Sequence, residues 1–236
     1  MNIENSIKVA VLNYSGTVGK STVAKHLLHP RMGVCELLFV ESINEGGDAT
    51  NIKGKDFAQV MIEVLAADRV IVDIGSSNIE QVFAKVERMG DVMNEFDFVV
   101  VPTVPDEKQQ KDTIKTIRDL IKLGVEPEKI KVIFNYVRAD DEVPTTFRLV
   151  LQAMEAVGGI DHAVVHESEG FGMLANPQIR KFAEDRSRDL RKEIAAATGA
   201  QEKHELATAL VALRIVRGVE AELDKVFKSL FAKQPA

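Results

Sequence analysis

Residues 15–22, Ser-Gly-Thr-Val-Gly-Lys-Ser-Thr, have the types and order needed to hold a polyphosphate. Small residues let a turn point successive backbone N–H groups inward, and the start of a following helix adds partial positive charge. Ser15, Gly16, Thr17, Val18 and Gly19 form that turn, Lys20 brings a full positive charge, and Thr22 continues into the helix. The Ser21 hydroxyl is of the kind that ligates the Mg²⁺ accompanying phosphates. The usual pattern, G-x-x-x-x-G-K-[ST], is met except at its first position, where Tyr14 stands in place of glycine. A helix that simply begins Gly-Lys-Ser-Thr is the competing reading. The apolar run Ile7–Leu12 directly upstream favours the first, because strand, small-residue turn and helix together make the phosphate site. The implied ligand is a nucleoside triphosphate.

Two further residues belong to the same chemistry. Asp73 closes the apolar run Arg69–Ile74 and precedes Gly75, where an acid beside a phosphate loop holds Mg²⁺ directly or through water. Its alternative role is to cap a helix starting near Asn78. Asn135 ends another apolar run, Phe-Asn-Tyr-Val, and its amide can both donate to and accept from a purine edge. Taken alone it would be an ordinary loop asparagine.

These residues need strands to carry them. β-Branched runs at Ile7–Tyr14, Glu36–Ser42, Arg69–Ile74, Phe96–Val104, Ile130–Val137 and Ala163–Glu167 alternate with helical patterns near 19–28, 55–67, 78–90, 106–123 and 144–157. Near-continuous apolar strands imply burial on both faces, the mark of a mostly parallel, doubly wound α/β sheet. Past Gly172 the strand signal ends, and Asn176–Ala197 and Glu202–Ala232 read as two long helices. The expected division is a core over 1–172 and a helical extension over 173–236. Leu206, Leu210, Leu213, Val216, Val219, Leu223, Val226 and Leu230 make one stripe on the second helix, expected to dock on its own domain.

Composition limits the function classes. The 236 residues carry a net charge of −6, which argues against a protein that coats nucleic acid electrostatically. One cysteine, Cys35, excludes a disulfide framework and a cysteine-clustered metal site within one chain, and suits a reducing cytoplasm. No apolar run approaches the ~20 residues that span a bilayer, so no stable membrane insertion is expected. The amino terminus lacks the pattern of a signal peptide, and a cytoplasmic protein is expected. Arg180, Lys181, Arg186, Arg188, Arg191 and Lys192 form the one basic concentration. Glu184, Asp185 and Asp189 interleave it, so a solvated face is the first reading and direct, non-specific DNA contact the alternative.

Taken in order, the segments Ser15–Thr22, Glu41 in Leu-Phe-Val-Glu, Asp73 in Ile-Val-Asp-Ile-Gly, Val101–Pro105 and Asn135 resemble the ParA/MinD branch of P-loop ATPases over about residues 5–170. More narrowly, the chain resembles the StbB-type plasmid-stability ATPases. The resemblance implies ATP and Mg²⁺ as cofactors, Lys20, Glu41 and Asp73 as catalytic residues, and Asn135 against adenine. It further implies an ATP-dependent homodimer, a small DNA-bound adaptor protein of the same plasmid, and a role in plasmid partition, stability or conjugation. Three departures stand out. Ser15 occupies the place of the lysine with which this branch reaches across its dimer. Ser42, Ile43 and Asn44 follow Glu41, so the acid that orients the attacking water is missing, with Glu45 or Asp48 as candidate substitutes. Glu41 and Asp73 also lie closer in sequence than is usual in the branch. The expectation is slow hydrolysis. A non-hydrolysing nucleotide scaffold, and a ligase or kinase of the same fold, stay open as alternatives.

Overall fold

Val-Ala-Val-Leu, at the end of the first strand, has no polar face because both sides of that strand are covered. The computed structural model describes residues 6–41, 50–53, 57–177, 179 and 188–231, with backbone alone at 41 and 50–53. Its strands are β1 (Ile7–Leu12), β2 (Glu36–Glu41), β3 (Thr50–Lys53), β4 (Arg69–Ile74), β5 (Phe98–Thr103), β6 (Ile130–Val137) and β7 (Asp161–His166). They form one seven-stranded sheet in the order β3-β2-β4-β1-β5-β6-β7, and every pairing is parallel. From β1 the chain runs out to β2 and the β3 edge, returns to β4 beside β1, and then crosses to β5, β6 and β7 on the other side, so the expected doubly wound architecture is the one formed. In such a sheet the carboxyl ends of the strands beside the reversal point make the ligand crevice.

The sequence pattern did not point to β3. Thr-Asn-Ile-Lys is a short edge strand beside β2 and needs no two-sided apolar run to form.

Helices α2 (Phe57–Ala66), α3 (Ile79–Met89), α4 (Glu107–Lys122), α5 (Val143–Thr146) and α6 (Arg148–Ala156) follow the strands. Phe57, Val60, Val82, Val86, Ile117, Leu120 and Val150 from these helices share one buried cluster with Ala10 and Leu12 of β1, Val72 of β4 and Val132 of β6. The first helix starts as α1 (Lys20–Thr22) and continues with π-type hydrogen bonding over Val23–Leu28, where Val23, Ala24, Leu27 and Leu28 are buried. Further on lie α7 (Gly170–Leu174), α8 (Leu190–Ala196) and α9 (Ala200–Phe231). Of the expected helix over Asn176–Ala197, residue 178 and residues 180–187 lie outside the described residues; Pro177 and Ile179 are helical, and α8 covers Leu190–Ala196.

The chain divides into two compact units, one of Met1–His166 with Val226–Ala236 and one of Glu167–Lys225. Along α9 the stripe is buried at Leu213, Val216, Val219, Leu223, Val226 and Leu230, and half-buried at Leu206 and Leu210. In the second unit, Gly170 packs so closely on α9 that a Cβ there would meet the Val219 side chain at 2.7 Å. In the first unit, Phe231 lies edge-on to Phe98 of β5 with ring centroids 5.1 Å apart, and Phe227 packs beside it at 5.0 Å.

Phe231→Ala is expected to destabilise the fold by about 3 kcal/mol through the cavity left against Phe98. Val211→Ala, at a position 55% exposed, should fall within about 0.5 kcal/mol of the parent. Urea unfolding of both variants measures the contrast.

Candidate phosphate-binding site

β1 ends at Leu12, and the seven residues from Asn13 to Gly19 turn the chain into α1. The turn is held at its start by Asn13, which is fully buried. Its Nδ2 donates to the Pro102 carbonyl at the end of β5 and to Thr113 Oγ1 of α4, each at 2.8 Å. Its Oδ1 accepts the Ser15 N–H at 2.8 Å. Helix α4 adds two contacts from the same face: Thr116 Oγ1 accepts the Tyr14 N–H at 3.2 Å, and Gln109 Nε2 donates to Thr17 Oγ1 at 2.7 Å. At the far end of the turn, Asn135 Nδ2 donates to the Val18 carbonyl at 3.1 Å. Asn135 is 4% exposed, and its Oδ1 accepts the N–H of Tyr136.

Gly19 is required on two counts. Its φ of +86° lies in the left-handed region, and any Cβ would collide with Asn135 Nδ2. Tyr14, by contrast, is tolerated where the usual pattern has glycine because its ring turns away from the crevice. It meets Phe83 of α3 edge-on, its hydroxyl donates to Asp119 Oδ2 at 2.9 Å, and the Lys115 ammonium sits 3.7 Å above the ring. Burial, with Asp119 beside it, pushes the Tyr14 phenol far up, so it stays a donor.

The turn opens on a cavity of about 510 Å³ at the carboxyl ends of the strands. Gly16, Thr17, Gly19, Lys20, Ser21 and Thr22 line one wall, with Asp73, Gly75, Ser76, Ser77 and Tyr136 completing the lining. Lys20 is 5% exposed, and its Nζ donates to the Ser15 carbonyl at 2.6 Å. Burial lowers its pKa below the ordinary 10.5, and the Asp73 charge opposes that shift. Ser21 Oγ donates to Asp73 Oδ2 at 2.6 Å. A hydroxyl and a carboxylate are hard oxygen donors of the kind that suit Mg²⁺. Among the described residues no group of three or more His, Cys, Asp or Glu could hold a metal, so a protein-only site is not offered. Glu41 closes β2 opposite Lys53; its side chain, and all of Ser42–Asp48 with the candidate acids Glu45 and Asp48, lie outside the described residues. The turn after Asp73 is tied to β2, since the Val40 carbonyl accepts both the Gly75 N–H at 3.0 Å and Asn78 Nδ2 at 3.1 Å.

The sequence matches no protein-family model and no curated protein. Among solved structures, the chain resembles the MinD cell division protein of Aquifex aeolicus with a TM-score of 0.52 at 11% identity, over 98% of this chain and 99% of that one. It resembles McdA of Cyanothece, solved as an ATP complex, with a TM-score of 0.51 at 12% identity over 99% of each chain. The MinC:MinD complex of Aquifex aeolicus gives 0.51 at 10% identity, over 98% of each chain. The fold is that of the ParA/MinD-type P-loop ATPases.

Within this ParA/MinD-type fold, Lys20, Ser21, Asp73 and the 16–22 turn come together around one cavity, and Asn135 lies beneath the turn. Sequence reading missed Asn13, Gln109, Thr113 and Thr116. A signal was present, because α4 carries Gln110, Thr113 and Thr116 buried on the side where apolar residues belong, alongside Ile117 and Leu120. A polar stripe on the inward face of a helix needs partners, and the loop provides them. Of the basic stretch, Arg188 pairs with Glu193 and Lys192 lies 3.7 Å from Asp189, while residues 180–187 lie outside the described residues. Among the described residues no helix is long and apolar enough to cross a membrane.

Asn13→Ala leaves the Ser15 N–H and the Pro102 carbonyl without their buried partner. It should cost about 2 kcal/mol of stability and weaken phosphate binding, read by thermal melts with and without ligand. Lys20 gives opposite pH trends for binding and stability. Above its lowered pKa the charge is lost and anion affinity falls. Between that pKa and the unfolded value the unfolded chain binds more protons, so stability rises with pH. Titration calorimetry and denaturant melts between pH 7 and 10 should show both slopes, and Lys20→Met should flatten both.

Proposed function

We propose that the chain is an ATP-binding, slowly hydrolysing P-loop ATPase that works as a conformational switch in plasmid stability, partitioning or conjugative transfer. The observation that carries this reading is the single cavity in which the left-handed turn at Gly19, the buried Lys20 and the Ser21–Asp73 pair converge. Residues 1–172 act as the ATPase core and 173–236 as a helical extension. Backbone N–H groups from Gly16 to Thr22 wrap the phosphates, and Lys20 exchanges its hold on the Ser15 carbonyl for a phosphate oxygen. Ser21 and Asp73 would hold Mg²⁺, which would supply positive charge beside the phosphate oxygens. Asn135 keeps the loop and the base end of the site in register. The ATP in the McdA structure supports the choice of ligand.

Hydrolysis forms a bond from water to the γ-phosphorus and breaks the bond to the bridging oxygen, releasing ADP and phosphate. Its rate depends on positioning and charge neutralisation. The missing acid after Glu41 and the neutral Ser15 support a rate on the order of 10⁻³ s⁻¹ or below, with ATP binding preserved. The output is an ATP-favoured homodimer that engages a small DNA-bound adaptor of the same plasmid in the bacterial cytoplasm. MinD solved together with MinC supports a protein partner of this kind. An StbB-type role is the narrower form of the proposal. A non-hydrolysing scaffold is the second reading, favoured by Ser15: it is 7% exposed, its N–H is held by Asn13 and its carbonyl by Lys20, so it reaches across to no partner.

Solution mass by light scattering, together with phosphate release, tests the proposal. ATP·Mg²⁺ should double the mass and ADP·Mg²⁺ should not. Lys20→Ala should weaken ATP binding by roughly 10²-fold and remove the dimer. Bound ATP with constant mass and no phosphate release would select the scaffold.

A further inference from the structure

Tyr136 is the large aromatic side chain in a cavity otherwise lined by small and polar residues and by Lys20. Its backbone is unusual as well. With φ of +56° it is the one non-glycine among the described residues in the left-handed region. The cause lies in the pairing of β6 with β7. Phe134 pairs with Val164 and Val137 with His166, so two residues of β6, Asn135 and Tyr136, oppose Val165 alone. That bulge turns consecutive side chains to different tasks. Asn135 goes under the phosphate loop at 4% exposure, and Tyr136 stays beside it at 46% exposure. Tyr136 Cε2 lies 3.7 Å from the point where a Gly19 Cβ would stand, so the ring borders the loop itself.

Strand spacing gives the direction of the ligand. Asp73 ends β4 and Tyr136 lies near the end of β6, and β1 and β5 lie between these strands. Three strand intervals are about 14 Å, comparable to the reach of an extended nucleoside triphosphate. With the metal-bearing end at Ser21 and Asp73, the opposite end of the ligand falls at Tyr136. We infer that the Tyr136 ring is a stacking platform for the base of the bound nucleotide, an inference resting on the nucleotide site proposed above. The Asn135 amide gives one N–H to the Val18 carbonyl and accepts the Tyr136 N–H, so it aims the ring, and a carboxamide has a second N–H and lone pair with which to meet a base edge. Recognition by a ring face is tolerant of base identity. The site therefore favours a nucleotide over a bare polyphosphate strongly and discriminates adenine from guanine weakly.

Titration calorimetry of the full chain with ATP, GTP and inorganic tripolyphosphate, each with Mg²⁺, tests this. Tyr136→Ala should weaken ATP and GTP binding about tenfold and leave tripolyphosphate unchanged, while Tyr136→Phe should hold ATP within about twofold of the parent. Tyr136→Gly, which suits the left-handed backbone, should repeat the selective loss free of strain. An equal loss for ATP and tripolyphosphate in the glycine variant would mean that the ring only shapes the loop, and would overturn the inference. Unchanged ATP binding in that variant would overturn it too. A parent chain that binds neither ATP nor tripolyphosphate would remove the nucleotide site itself. The chain has two tyrosines and no tryptophan, so its ultraviolet emission offers a second readout. ATP, but not tripolyphosphate, should quench tyrosine emission in the parent, and the quench should vanish in Tyr136→Phe. A quench that survives in Tyr136→Phe would sink the proposal.

Discussion

A loop that turns its own N–H groups toward an anion leaves them without internal partners, so its shape must be imposed from outside. In this chain two buried carboxamides impose it. Asn13 fixes the entry of the loop to β5 and α4, and Asn135 fixes its exit at the Val18 carbonyl. Between them, Thr116 and Gln109 hold the Tyr14 N–H and the Thr17 hydroxyl. Each of these bonds is worth only about 1 kcal/mol net, but leaving its buried partner unmade costs more. The geometry therefore persists as a set, and the Lys20 and Ser21 side chains inherit their positions from it.

The same arrangement explains an unusual helix. Along α4 the residues facing the sheet change from apolar Ile117 and Leu120 to polar Gln110, Thr113 and Thr116 as the helix nears the crevice. Thr113 donates to Thr103 Oγ1 at 2.8 Å and Gln110 donates to the Pro105 and Thr146 carbonyls at 2.9 Å, so these side chains are engaged within the protein, while Gln109 Oε1 is buried without a partner. One end of α4 is packed as core and the other as the wall of a site. Tyr14, caged by Phe83, Asp119 and Lys115, marks the border between them.

The sheet was legible because two-sided burial forces near-continuous apolar runs such as Val-Ile-Val and Phe-Val-Val-Val, and six of the seven strands carry one. The turn over 15–22 was legible because few residue types suit a strand-to-helix turn whose last residue, Gly19, stands at a φ of +86°. The edge strand Thr50–Lys53 was not, since an edge needs no such run. Asn13 and the α4 stripe also escaped, because their meaning depends on which elements become neighbours, and periodicity within one segment does not carry that. Asn135 was found for its amide, but the bulge that buries it and leaves Tyr136 beside the cavity arises from pairing with β7.

The clamps join residues far apart along the chain. Asn13 to Thr113 spans 100 positions and Val18 to Asn135 spans 117. Loop-closure entropy makes such contacts late ones, and a chain leaving the ribosome at roughly 5–20 residues per second exposes the loop many seconds before its supports exist. A nascent chain therefore carries the whole glycine-rich stretch without a working anion site. The geometry of the loop is complete only once β6 has joined the sheet, so a chain still in synthesis carries the residues of the loop without its shape.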